Sequence, residues 1–168
     1  MRTIFTHGSV HPELGAQIQH YIDLAGVNMT FHLRPLPLDA AIALEEWRSG
    51  TPPFDQWLEI DESLLASNVL WAVENADGFA ESRPAIPKHA EWGCNFGGLL
   101  AIEYGPKNLA LVNQLHELLH CLGVDDCYDE STFGPKASCQ DDHCLMRYGN
   151  ITLSVCESVL EQIRKHAS

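Results

Sequence analysis

Three residues within five positions, His116, Glu117 and His120, have the types and spacing that build a metal centre. On a helix, positions i and i+4 stand one turn apart on one face. Both imidazoles can then aim a ring nitrogen at a single zinc ion at about 2.0–2.1 Å. Glu117 leaves the helix beside them, where a carboxylate suits a general base acting on a water at that ion. Leu118 and Leu119 fall on the side that packs inward. The chain holds nine histidines, so the pentapeptide alone is a modest signal: two solvated histidines beside a surface glutamate would look the same.

The residues that follow sharpen it. Gly123 lies three after His120 and Asp126 three after Gly123, giving HExxHxxGxxD. A glycine there lets the helix stop and the chain turn sharply back. That turn brings Asp126 to the same ion as a third ligand; Asp125 is adjacent, and the register favours Asp126. Six cysteines are many for a chain of 168 residues, and four of them, Cys127, Cys139, Cys144 and Cys156, cluster just beyond. In a reducing compartment such clusters hold metal more often than disulfides. Cys94 falls in an expected loop as a free thiol, and Cys121 is expected to be buried; neither has the neighbours of a nucleophile.

The elements that must position these groups read as a mixed α/β chain. Arg2 to Thr6 is an expected strand and Pro12 to Gly26 a helix, with Leu14, Ile18, Tyr21, Ile22 and Ala25 at helical spacing. Asn28 to Leu36 alternates as a second strand, so the opening is β-α-β with a parallel pair. Asp39 to Arg48 reads as a helix with Ile42, Ala43 and Trp47 on one face, followed by a break at Ser49 to Pro53. Phe54 to Ile60 reads as a strand or an apolar turn. Val69 to Val73 is a buried strand, with a helix from Glu62 to Glu74 as its rival. Asp77 to Asn95, broken by Pro84 and Pro87, reads as a long loop. Gly97 to Tyr104 is a strand, and Asn108 to Leu122 is the strongest helix, stopped at Gly123. Asp125 to Gly149 has no helical or strand period and needs another means of support. Thr152 to His166 closes the chain as a helix. One domain, 1-168, is expected from this length.

In HExxHxxGxxD followed by Cys144-Leu145-Met146-Arg147-Tyr148-Gly149, the chain resembles the metzincin zinc peptidases, with aspartate where their third histidine stands. Cys127 directly after Asp126, and the Cys-x-Met at Cys144 to Met146, are most similar to the archaemetzincins. The resemblance implies a metzincin-like fold: a mixed twisted sheet, a zinc-binding helix, a Met-turn under the ligands and a C-terminal helix. It implies a catalytic zinc on His116, His120 and Asp126, with Glu117 as the base of a zinc-activated water. Tyr148 takes the place of a tyrosine that reaches the metal or the oxyanion. It further implies a second, structural zinc on Cys127, Cys144 and Cys156, with Cys139 able to supply the fourth thiolate. Two disulfides remain open for the same four positions.

The expected function is therefore hydrolysis of peptide bonds in a peptide or protein substrate. A zinc hydrolase of a non-peptide substrate is a second expectation, and a weak or non-catalytic zinc-binding protein of the same fold a third. The formal charge of -13 argues against a nucleic-acid partner, which needs a basic face. No apolar stretch approaches the ~20 residues that span a bilayer. The first residues lack the pattern of a signal peptide, which gives a cytoplasmic expectation. A monomer is expected.

Overall fold

Strand β1 (Arg2–Gly8), helix α1 (Leu14–Leu24) and strand β2 (Phe31–Pro35) form the β-α-β opening, with β1 and β2 parallel and Arg2 opposite Phe31. The structure, a computed structural model, describes residues 2–49, 68–76, 79, 92–96 and 100–166, apart from the side chains at 47–49, 95 and 96. The chain continues through α2 (Leu38–Ser49), β3 (Asn68–Ala72), β4 (Gly93–Phe96) and β5 (Leu100–Glu103). A 3-10 turn, Lys107–Leu109, leads into α3 (Ala110–Cys121), and α4 (Glu157–His166) follows a long irregular stretch. The sheet runs β2-β1-β3-β5-β4, parallel throughout except for β4, which pairs antiparallel with β5 at one edge. This is the mixed α/β architecture that the sequence predicts.

Period-two alternation sends side chains to both faces of the sheet. In β3, Val69 and Trp71 join one apolar cluster with Ala40 and Leu44 of α2, while Leu70 joins the other with α1, α3 and α4. Helix α3 thus lies on the sheet face that also carries α1 and α4. Its C-terminal end is pinned to the sheet by Arg2, whose Nη2 donates to the Cys121 carbonyl at 2.7 Å and to Asn68 Oδ1 at 2.8 Å. Its middle is held by Gln114, which is fully buried. Gln114 Nε2 donates to Glu103 Oε1 at 2.9 Å and to the Ser9 carbonyl at 3.2 Å, and its Oε1 accepts the His11 N–H at 2.9 Å. A buried amide with all its bonds satisfied fixes the helix in one register against β5.

Several expectations change. The predicted loop Asp77 to Asn95 contains the start of β4, a four-residue edge strand too short to show alternation. Cys94 is accordingly buried in β4. In α2 it is Ala40 and Leu44 that are buried, whereas Ile42 is 49% exposed. The last helix begins at Glu157 because the backbone before it serves other partners: Ser154 O accepts Leu145 N–H at 2.6 Å, and Leu153 O accepts the Tyr21 hydroxyl at 2.6 Å. Ser49 ends α2 rather than starting a break. Gly50 to Pro53, Phe54 to Ile60 and the first part of the rival helix at Glu62 lie outside the described residues, whereas 68–72 are strand. No helix among the described residues is long and apolar enough to cross a membrane.

Candidate metal centre

Helix α3 buries Leu115, Leu118 and Leu119 completely, which leaves His116 and His120 on the opposite, open side. The helix ends where the spacing requires. Gly123 N–H donates to His120 O at 3.1 Å and Val124 N–H to Leu119 O at 3.1 Å. Gly123 has φ +87, and a Cβ there would stand 2.7 Å from the His166 ring. Both the left-handed turn and the close approach of α4 therefore demand glycine. The Asp125 N–H is taken up by Gln162 Oε1 at 2.9 Å, and that residue is exposed. Asp126 is the one turned towards the histidines.

The three side chains converge. Asp126 Oδ1 lies 3.0 Å from His116 Nε2 and 3.1 Å from His120 Nε2, with the two rings 5.0 Å apart at 81°. Ligand atoms about 2.1 Å from one ion in tetrahedral array would be about 3.4 Å apart, so the spacing fits a zinc with slight contraction. The far sides of both rings support this. His120 Nδ1 faces Val124 O at 2.7 Å and His116 Nδ1 faces Leu145 O at 3.4 Å. A ring that donates from Nδ1 keeps a lone pair on Nε2, and two such lone pairs against one carboxylate oxygen call for a cation between them. Without a metal, a proton takes that part. Burial opposes charge on His120, but Asp126 and Glu117 outweigh it and lift its pKa to about 9. Burial likewise works against ionised Asp126, and the two histidines overcome it, holding the carboxyl well below the usual range.

Glu117 is buried. That burial pushes its carboxyl up, against the pull of His116 and His120, while Asp126 and Glu103 push it further. A carboxyl raised in this way is a stronger base. Its space comes from Gly93 of β4, a residue that the sequence pattern does not single out. A Cβ at Gly93 would lie 2.8 Å from Glu117 Oε1 and 2.9 Å from its Cγ. Cys94, next in the strand, has its thiol pushed up to about 12 by burial and then by Glu117, which suits an inert core residue.

The four cysteines Cys127, Cys139, Cys144 and Cys156 form a second group, all buried, with sulfurs within 4.8 Å of one another. None is in a disulfide. Cys127 Sγ stands 3.7 Å from Cys156 Sγ and 3.9 Å from Cys144 Sγ, whereas a disulfide needs about 2.05 Å. Four thiolates about 2.3 Å from one zinc have edges of about 3.8 Å. Cys144 Sγ pairs with Cys127 Sγ and accepts the Cys156 N–H at 3.4 Å, and these contacts, with the N–H of Met146, outweigh burial and hold the Cys144 thiol below its ordinary pKa. Arg147 Nε donates to Cys139 Sγ at 3.3 Å, placing a cation where four thiolates would leave surplus negative charge. The two groups are tied at one point. Cys127, next to Asp126, donates its N–H to Met146 O at 2.9 Å, and Leu145 O faces His116. Met146 itself is fully buried in the core cluster that includes the cysteines and α3.

Tyr148 is 45% exposed, and its ring lies 4.5 Å from Phe133 and 5.6 Å from Tyr128. Tyr128, which the spacing of the motif gives no reason to choose, is half-buried, and burial, with the nearby charges of Asp126 and Glu117, pushes its hydroxyl up. His143 is exposed, and its backbone N–H donates to Asp141 Oδ1 at 2.8 Å.

No family model matches the chain, and no curated protein is similar to it. A solved structure, a zinc-dependent peptidase from Methanocorpusculum labreanum (strain Z), is similar at 15% identity and a TM-score of 0.43, over 97% of this chain and 100% of that one.

Proposed function

We propose that the chain is a zinc-dependent peptidase, with His116, His120 and Asp126 as ligands and Glu117 as general base. The observation that carries this reading is the convergence of two imidazole Nε2 atoms and one carboxylate oxygen, beside a buried glutamate. Zinc alone has no use for that glutamate; hydrolysis does.

A zinc ion bound there supplies a Lewis acid that acidifies water and polarises a carbonyl. His116 and His120, held from behind by Leu145 O and Val124 O, present Nε2 without reorganising. Asp126 adds a negative charge that a third histidine would not, which tempers the acidity of the centre. Glu117 takes a proton from water as the oxygen attacks the peptide carbon, and delivers it to the leaving amine. Strand β4 pairs only with β5 among the described strands, so its outer edge offers backbone groups to an extended peptide beside Glu117. The four cysteines supply a second zinc site, closed and structural, that holds the segment between Asp125 and Gly149.

The test is cleavage of unstructured peptides by the zinc-loaded chain and by Glu117→Gln. The variant is expected to keep its zinc and lose on the order of 10²–10⁴-fold in rate. Equal cleavage by both, or none of any peptide by the parent chain, would overturn the reading; activity confined to non-peptide esters or amides would replace it with the second expectation.

A further inference from the structure

Between Lys136 and His143 the chain is an exposed loop in which Cys139 alone is buried, at 4% exposure. Both ends of the loop are tied down: Lys136 N–H donates to the Cys127 carbonyl at 2.9 Å, and the Ser154 hydroxyl donates to Asp141 Oδ2 at 2.7 Å. Within it, Cys139 N–H donates to Lys136 O at 3.1 Å and Gln140 Nε2 to Ala137 O at 2.8 Å. These bonds shape the loop without joining Cys139 to the other three cysteines. Arg147, the residue after Met146, grips Cys139 from outside the loop. Its planar guanidinium turns all three nitrogens to this one segment: Nε donates to Cys139 Sγ at 3.3 Å, Nη2 to the Cys139 carbonyl at 2.9 Å and Nη1 to Asp142 Oδ1 at 3.2 Å. The Asp142 side chain is 89% exposed, so that ion pair contributes little, and the weight of the clamp falls on Cys139.

Cys127, Cys144 and Cys156 are joined to one another directly, with Cys127 Sγ against the other two sulfurs and the Cys156 N–H on Cys144 Sγ. Cys139 comes to them on the loop, and the sulfur and carbonyl of that one residue are held together by a single side chain. We propose that Arg147 is a positioning residue for the cysteine site: its guanidinium clamps Cys139 and makes it the fourth ligand of the metal. The proposal rests on the reading of the four cysteines as a zinc site. The clamp needs a fork. A guanidinium reaches sulfur and carbonyl with two nitrogens fixed in one plane, whereas an ammonium is a point charge on a flexible stem. A cationic donor on sulfur also favours the thiolate, the form that binds metal. Cys139 is then the ligand whose hold on the metal is separable from the rest, and Arg147 decides how firmly it holds.

The test uses the full-length chain loaded with cobalt(II), whose sulfur-to-metal absorption reports cysteine ligands and is silent on the histidine site. Retention of that absorption against rising chelator is read beside alkylation of each cysteine by iodoacetamide, located by mass spectrometry. Arg147→Lys keeps the charge and removes the fork. It is expected to weaken retention by about 10–100-fold and to expose Cys139 to alkylation while Cys127, Cys144 and Cys156 stay protected. Arg147→Gln, which keeps an amide donor without the charge, should likewise release Cys139 first. Asp142→Asn should retain the metal as the parent does. Parental retention and protection in both Arg147 variants would overturn the proposal. So would all four cysteines becoming reactive together, which would make Arg147 merely structural. A parent chain with no sulfur-to-cobalt absorption would overturn the cysteine site itself, a distinct outcome that takes the proposal with it.

Discussion

Gly93→Ala isolates the placement of Glu117 from the binding of metal. The added Cβ would stand 2.8 Å from Glu117 Oε1, 2.9 Å from its Cγ and 3.0 Å from the Ile102 carbonyl. Carbon contacts relax near 3.5 Å, so about 0.6 Å of overlap must be relieved. The Ile102 carbonyl belongs to β5, in register with Cys94 of β4, and cannot yield without breaking the edge of the sheet. The glutamate must therefore withdraw. Overpacking of this kind costs about 1–3 kcal/mol. Alanine also stiffens the unfolded chain, which returns about 0.4–1 kcal/mol. The net loss is then on the order of 1–2 kcal/mol, small enough to leave the protein folded. The effect on turnover is larger: a catalytic group misplaced by about 1 Å costs on the order of 10²-fold. Zinc content is expected to stay unchanged, because no ligand is touched. The assay is kcat on an unstructured peptide, with zinc per chain and denaturant unfolding on the same preparations. The companion is Gly93→Ala in a Glu117→Ala background, where the two nearest atoms are gone and most of the stability loss should vanish. Parental kcat in Gly93→Ala, or equal stability losses in both backgrounds, would refute the reasoning.

Two further outcomes follow from the same groups. In chain stripped of metal, His120 has its pKa raised from 6.5 to about 9, so its stabilising pairing is fully present below pH 6.5 and lost as pH rises through about 9. Asp126 is lowered from 3.8, so its contribution is present above that value and lost as pH falls. The stripped chain should melt highest between roughly pH 4 and 6.5 and decline towards pH 9, a descent that Asp126→Asn should flatten in thermal melts; with zinc bound the slope should reverse, since protons compete for the ligands. Cys144→Ser removes the sulfur that pairs with Cys127 Sγ and accepts the Cys156 N–H. Because Cys127 is bonded to Met146 and adjoins Asp126, zinc content should fall at both centres, with a lowered melting point; loss of one zinc alone would uncouple them.

The part of the site legible in the sequence is the part that is local. Helical spacing places His116, Glu117 and His120 together, and a glycine three residues on turns Asp126 back to them, because each step spans one or two turns of chain. The strand β5, the helix α3 and the β-α-β opening are legible for the same reason: their periods are carried by contiguous residues. What lies across the fold leaves no such trace. Gly93 matters through a contact with Glu117, on a strand only four residues long. Gln114 reads as one more polar residue of an amphipathic helix, yet it is fully buried on Glu103, Ser9 and His11. In α2 the apolar residues are spread around the helix, and only packing on the sheet selects Ala40 and Leu44 over Ile42. The start of α4 was hidden because the backbone at Leu153 and Ser154 is claimed by Tyr21 and Leu145, partners far away in sequence. Tyr128 is half-buried and Tyr148 exposed, a difference that motif spacing does not carry.

The central claim is that two separate groups of side chains each hold a zinc ion, one of them on His116, His120 and Asp126. Zinc per chain, measured on protein purified without added metal, tests it most directly when the parent is set beside His116→Ala. The expected result is two zincs per chain in the parent and one in the variant. A parent with no zinc, or a variant whose zinc content equals the parent's, would contradict it.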